Sequence, residues 1–473
     1  MPTIRVGNGA GFWGDNLDAP RLLCERSQLD YLTLEYLAEL TLSILAHQRS
    51  RDAQAGFVPD FVTVLESLVP CLAAQPKLKI VTNAGGMAPQ VCAREAARIL
   101  SRAGLGSTRV AAVGGDDLLP QLDELLASGE TFSNLDTGQP LGQMRAKIAS
   151  ANAYLGAAGI VAGLAQGARI VITGRVADAS LTVGPAVHEF GWAWDDRPRL
   201  ASATVAGHLI ECGAQVSGGM FSGWTPELSL NNLGYPIAEM SDSGDVWITK
   251  PPGTAGAVTV ETVAEQLVYE IGDPAHYLTP DLDADFSNVR LAQAGPDRVH
   301  VSGARGDPAP PRLKVSMAYR DGYMATGTLV VCGAMAAAKA RACGELILSR
   351  LRNAGVGLAR MHIECLGTGD TLPGVWRRND EALEVVLRVS AHDSSRESLE
   401  RFVREFSPLV GAGPPGVTGY TGPRPKPYPV FAYWPTTVGR EHVAPCAQVH
   451  TASEWERVDV PTAPGESAKQ PAG

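Results

Sequence analysis

Five short apolar segments, each closed by a glycine-rich or polar turn, limit what this chain can fold into. They are TIRVG (3–7), LDYLTL (29–34), LKIVT (78–82), RVAAVG (109–114) and RIVIT (169–173). Segments of helical pattern stand between them. These are DAPRLLCERS, with Asp18 as N-cap and Pro20 in the first turn, EYLAELTLSILAHQRS, APQVCAREAARILSRAG and KIASANAYLGAAGIVAGLAQGA. Strands separated by helices predict a mostly parallel sheet covered on both faces. The turns that follow the strands read GNGAGFWGD, EYLAE, NAGGMAP, GGDD and GRVADAS. In an open parallel sheet such turns share the carboxyl edge, where ligands bind. Glycine there permits close backbone approach, and free N–H groups at helix starts attract anions. The pattern predicts one site built from many loops.

The second half reads differently. RLKVSMAYRDGYMATGTLVVCG is strand-rich, AMAAAKARACGELILSRLRNAG helical, MHIECLG and ALEVVLRVSAHD strands, SRESLERFVREFSPLVG helical and YPVFAYWP a last strand. That order, β-α-β-β-α-β, is the split βαβ or ferredoxin-like pattern. VRLAQAGPDRVHVSG predicts a hairpin turning at Pro296–Asp297, and GDPAPPR (306–312) a linker. The expected fold class is therefore α/β, a mostly parallel sheet flanked by helices, plus a smaller α+β ferredoxin-like domain. The expected boundaries are a large domain over 1–285, hairpin and linker over 286–311, the ferredoxin-like domain over 312–445 and a tail over 446–473, APGESAKQPAG included.

Composition bounds the function. The 473 residues, 45% hydrophobic and 19% charged, are enough for two or three globular domains. A net charge of −10 argues against general affinity for nucleic acid or for an anionic membrane face. No apolar run approaches the roughly 18 residues that span a bilayer. MPTIRVGNG starts directly on a strand, without a secretory leader pattern, so the expected location is cytoplasmic. Eight cysteines without a C-x-x-C pair predict buried thiols rather than a disulfide or zinc framework. Small-residue helix faces predict close packing and a homo-oligomer.

Within the loops, Gly9, Gly11 and Gly14 fit G-x-G-x-x-G, and Glu35 stands about where a ribose-binding acid would. Phe12 and Trp13 are bulky for a pyrophosphate turn, and the helix signal starts only at Asp18. An NAD(P) oxidoreductase is thus an alternative reading, beside a ligand loop of another kind with Asn8 and Asp15 as its polar contributors. In TGRVADAS, Arg175 suits a carboxylate or phosphate, and Asp178 would orient it or act as base. An internal Arg–Asp pair that only fixes the loop is the competing reading. GHLIECG places His208, Glu211 and Cys212 on one helix face. A metal site, a Cys–His nucleophile, an acid–base pair and a buried polar brace all fit that spacing. The metal reading lacks a second histidine, and no metal is expected. TNAGGMAP and VGGDD offer amides at Gly85 and Gly86, Asn83, and the carboxylates Asp116 and Asp117, as an oxyanion site or as helix caps. Lys250, before KPPGTAGAVT, would meet phosphates or merely start a loop.

GARIVITGRVADASLTVGPAVHEFGW and SATVAGHLIECGAQVSGG resemble the acyclic terpene utilisation family, AtuA. The similarity is collinear from NGAGFWGD through PPGTAGAVTVETVAEQLVYEIGDPAHYLTPD to about residue 440. The resemblance implies a place among enzymes that degrade branched acids as coenzyme A thioesters. Many members carry an additional small C-terminal domain, which implies a separate small partner subunit here. Combining the two readings, the expected activity is a lyase, a hydratase or dehydratase acting on a branched acyl-CoA or related acid. Glu35, Asp178, Glu211 and His208 would move protons, and no cofactor is required. A non-catalytic scaffold subunit is the remaining alternative.

Overall fold

The apolar segments do form strands, and their polar ends do converge. The computed structural model describes residues 2–52, 54–451 and 454–460. By internal packing the described residues divide into two compact units, one within Met1–Ala318 and Tyr433–Gly473, the other within Tyr319–Ala432.

The first unit is built on an eleven-stranded sheet. Its centre is the five strands read from sequence: β1 (Thr3–Asn8), β2 (Tyr31–Leu34), β3 (Lys79–Thr82), β4 (Val110–Gly114) and, after β5 (Ile148–Ala153), β6 (Ile170–Thr173). They lie in the order β1-β2-β3-β6-β4 with four parallel pairings. Beyond β1 come β7 (Ile237–Ser241), β8 (Val246–Thr249) and, past the short β9 (Tyr277–Leu278) and β10 (Asp283–Asp285), the hairpin β11 (Arg290–Gly295) and β12 (Arg298–Ser302). Beyond β4 lie the last two strands of the chain, Cys446–Thr451 and Glu454–Val458.

All six of these outer pairings are antiparallel. The expectation of a mostly parallel sheet is therefore corrected: the sheet is mixed and largely antiparallel. The helix–strand alternation describes only the centre, and hairpin strands extend it on both sides. The expected boundaries shift for the same reason. Residues 286–311 supply strands of this sheet, with Asp297 at φ +49° in the hairpin turn. Part of the expected tail, 446–451 and 454–458, is paired; 461–473 lie outside the described residues.

Both faces of the centre are covered. On one, Phe61, Leu65 and Leu68, with Ala93, Ala96 and Leu100, pack on Leu32, Leu34, Ile80 and Ile172. On the other, small residues let helices approach closely. A Cβ on Gly159 would stand 2.4 Å from Val113, one on Gly184 2.6 Å from Ile160, and one on Gly207 2.7 Å from the Ala179 carbonyl. Small-residue faces that predict close packing are used here inside the unit.

Two helix expectations fail locally. The stretch expected as one helix from Lys147 contains β5, followed by a helix only over Ala158–Ala165. Tertiary partners override propensity here: β5 pairs with β14 (Arg312–Cys332), and Asn152 donates to Asp116 at 2.8 Å. The helix expected from Glu35 begins at Glu39, which leaves Glu35–Ala38 outside any helix or strand, directly after β2. A three-stranded sheet of β9, β10 and β13 (Arg305–Asp307) completes the unit.

In the second unit the strands run in the order β15 (Arg360–Leu366), β16 (Glu384–Asp393), β14 and β17 (Tyr428–Gly439). Helices Ala336–Asn353 and Arg396–Val403 bury Ala340, Ile347, Leu399 and Phe402 against Leu329, Leu387 and Val389. No helix among the described residues is long and apolar enough to cross a membrane.

Glycines 85 and 86 belong to this packing. A Cβ on Gly85 would stand 2.4 Å from the Thr173 carbonyl oxygen and 2.8 Å from Pro89 Cα, both backbone atoms. Gly86 has φ +51°, and its Cβ would meet Leu45. Gly85→Ala is expected to cost about 1–3 kcal/mol, read as a lowered urea midpoint with an unchanged m-value.

Candidate functional site

Strand ends bring the acids together because parallel strands all deliver their following turns to one edge. Two adjoining cavities open there, of about 460 Å³ and 320 Å³, sharing Glu39, Asp178, Glu211 and Glu270 as wall residues. Glu35 and Arg175 line the first, and His208, Tyr154 and Lys314 the second.

Arg175, 1% exposed, lies at the centre. Its Nη1 donates to the Leu37 carbonyl and its Nη2 to Asp178. The guanidinium stacks 4.2 Å from the Tyr154 ring centroid. Its Nε has no hydrogen-bond partner among the described residues. Burial opposes its charge, but Asp178, Tyr154, Glu35 and Glu39 outweigh that and hold it protonated.

The acids around it differ in character. Burial would lift Glu39, but Lys314 at 3.0 Å, its own backbone N–H and the charge of Arg175 outweigh that, and the net effect is a fall to about 2; the Tyr154 hydroxyl also lies 3.0 Å from it. Glu35 goes the other way: burial and the charge of Asp178 push it well up, against Arg175, the Asn83 amide and the Leu37 N–H. Asp178 is raised by burial against the pull of Arg175. Burial pushes Glu211 up to about 7, opposed by its contact with His208. Carboxyl groups pushed apart in this way are what acid–base chemistry needs.

The His208–Glu211 pair fixes where one proton sits. His208 Nε2 faces the carbonyl oxygens of Gln266 (3.0 Å) and Leu267 (3.3 Å), so it must carry hydrogen. Nδ1 lies 3.2 Å from Glu211 Oε1. That contact holds one further proton, on either the carboxyl or the ring. Burial works against the imidazolium, but Glu211 and the two carbonyls raise His208 overall. Cys212 is a different matter. Burial and Glu211 push its thiol up, and no contact joins it to His208 among the described residues. The Cys–His nucleophile is therefore disfavoured.

Several residues expected to touch substrate instead brace this wall. Asn8 donates to the carbonyls of Ile210 (2.7 Å) and Glu211 (2.9 Å), tying β1 to the end of helix Arg197–Glu211. Asn83 donates to Glu35 at 2.5 Å and accepts from Tyr36 N at 2.8 Å. Asp116 accepts from Arg175 N at 2.9 Å and from Asn152. Asp117 meets Arg49 and the Leu119 N–H instead. Lys250 is buried against Thr254 (2.8 Å) and Asp297 (3.0 Å) and lines neither cavity. Asp15 does line the first cavity, where it also holds Gly11 N (2.8 Å) and Tyr235 (2.5 Å). The close approaches that call for glycine in the opening loop are to protein atoms. A Cβ on Gly9 would meet Pro20 Cα at 2.9 Å, and one on Gly11 the Cys212 backbone at 2.7 Å.

Glu39, Tyr154, Lys314, Glu270 and Tyr277 escaped the sequence reading. Only Glu39 carried a signal, as the second acid of EYLAE; Tyr154 lay inside a presumed helix. No group of three or more His, Cys, Asp or Glu suited to a metal ion occurs among the described residues.

Asp116 also reports on folding. Burial raises it to about 6 from 3.8, against its hydrogen bonds from Arg175 N and Asn152. Between about pH 4 and pH 6 the folded chain keeps a proton that the unfolded chain releases, so this stabilisation is lost as pH rises, by at most about 1.4 kcal/mol per unit. Asp116→Asn is expected to flatten that fall, measured as urea midpoints at the two ends of the window.

No curated protein and no solved structure matches the chain. The model of the acyclic terpene utilisation family protein AtuA matches residues 4–449. That match takes in the central strands, the arginine and the acids of both cavities, so the chain belongs to the AtuA family, with a role in acyclic terpene utilisation.

Proposed function

We propose that the chain is a lyase of branched or terpenoid acid degradation that adds or removes water at an acyl thioester such as an acyl-CoA. The observation that carries this is the shared wall: a one-proton His208–Glu211 pair, an Arg175–Asp178 pair and the raised Glu35 meet at adjoining cavities. Dehydration needs a base for the proton beside the carbonyl, an acid for the departing hydroxyl and a donor for the enolate oxygen. Asp178, paired with Arg175, suits the base, and Glu211 suits the acid. The positive charge of Arg175, which lines the first cavity, suits the enolate oxygen. As the C–H and C–O bonds break, Asp178 takes one proton, Glu211 gives one and water leaves; Asp178 then releases its proton to solvent and Glu211 regains one from it. Glu35 completes the wall beside Arg175.

We also read the second unit as ferredoxin-like. Its element order β-α-β-β-α-β and strand order β15-β16-β14-β17 support this.

The test is to incubate the protein with branched 3-hydroxyacyl-CoA thioesters in D2O. Growth of enoyl-thioester absorbance and deuterium at the carbon beside the carbonyl are expected. Absence of both with every branched thioester would reject the lyase.

A further inference from the structure

A smaller cavity of about 200 Å³ borders the first, and the two share Ala214 and Tyr235 as wall residues. Its character is opposite. Carboxyl groups and Arg175 line the first cavity, whereas among the described residues no charged side chain lines this one. Leu22 and Leu23 from helix Ala19–Arg26, with Leu230, Leu233 and Pro251, supply most of its wall. Two of its polar side chains are spent on the protein. Asn16 accepts from Asp18 N at 3.0 Å, and Thr254 donates to the Pro251 carbonyl at 2.6 Å. Tyr235 behaves alike: its hydroxyl donates at 2.5 Å to Asp15, a wall residue of the first cavity, and the ring is what it offers the smaller one.

Walls of this kind favour hydrocarbon and return nothing to a charged group for the water it loses. An apolar cavity of about 150 Å³ holds a benzene ring, so this one takes roughly six to eight carbon atoms. The backbone keeps it near the acid wall. Ala214 stands three residues after Glu211, so the two Cα atoms are at most about 11 Å apart.

We infer that this smaller cavity takes the far end of the acyl chain while the thioester stands at the acid wall, and that Ala214, Tyr235 and Leu230 set the chain length accepted. This rests on the acyl-thioester reading above and adds to it the place where the hydrocarbon is measured.

The test measures binding of the full chain, by calorimetry, to the N-acetylcysteamine thioesters of butanoate, hexanoate, octanoate and decanoate, which lack the hydroxyl that the lyase would remove. Affinity is expected to rise about fourfold for each methylene that enters the cavity and to level off once it is full. Leu230→Trp, at a half-exposed position, and Ala214→Leu both narrow the cavity. Each should cut the decanoyl-to-butanoyl affinity ratio at least about tenfold. A crystal with the 8-bromooctanoyl thioester decides the point if neither variant folds: bromine between Leu22 and Leu233 is expected, and bromine elsewhere would overturn the inference. No binding, affinity indifferent to chain length, or a ratio that both variants leave intact would overturn it as well. Affinity indifferent to chain length would leave the lyase standing; a chain-length gain without deuterium incorporation would do the reverse.

Discussion

Glu211→Gln is expected to lower kcat/KM for a branched hydroxyacyl thioester about 10³-fold, within the range that a positioned acid contributes. The amide keeps the volume of the side chain and can still donate to His208 Nδ1, so the fold and the end of helix Arg197–Glu211 should survive. What disappears is the transferable proton. Burial holds Glu211 up to about 7, so the acid form prevails below that pH. In the wild type, kcat/KM should therefore fall as pH rises through about 7, while the residual activity of the variant should lack that limb. Steady-state kinetics across this range read both effects. Full activity in the variant, or a wild-type profile flat through neutrality, would remove Glu211 from the mechanism.

Arg175→Met is expected to be the most destabilising single change at the site, by about 3–5 kcal/mol, because it leaves buried partners without their cation. Asp178 loses its ion pair, the Leu37 carbonyl its donor, and Glu35 and Glu39 a neighbouring positive charge. Lysine should not rescue it, since one ammonium cannot serve Leu37 and Asp178 while stacking flat on Tyr154. The measurement is the urea midpoint of Arg175→Met, Arg175→Lys and Arg175→Met/Asp178→Asn. The double variant should recover part of the loss, because it removes the orphaned carboxylate as well. A loss below about 1 kcal/mol would mean that this buried charge is better solvated than its contacts imply.

How much of this was legible beforehand depends on the range of the interactions involved. The spacing of His208 and Glu211 on one helix face is local, and their contact follows from helical geometry. Arg175 and Asp178 are likewise three residues apart and meet. The bracing roles were not legible, because their partners are remote in the chain. Asn8 meets Glu211 over 203 residues, and Asn83 meets Glu35 over 48. Tyr154, the platform beneath Arg175, sat in a stretch whose alanines and glycines favoured a helix until β14 supplied a strand partner.

From the residues alone one could obtain the five central strands, the carboxyl edge as the place for the polar turns, and the His–Glu and Arg–Asp pairs, since periodicity and short spacing act within a few residues. Folding in three dimensions settled which polar groups face the cavities and which hold the wall, and on which sides antiparallel strands widen the sheet. An asparagine or aspartate at a strand end bonds equally well to protein or to ligand, and only its distant neighbours decide between them.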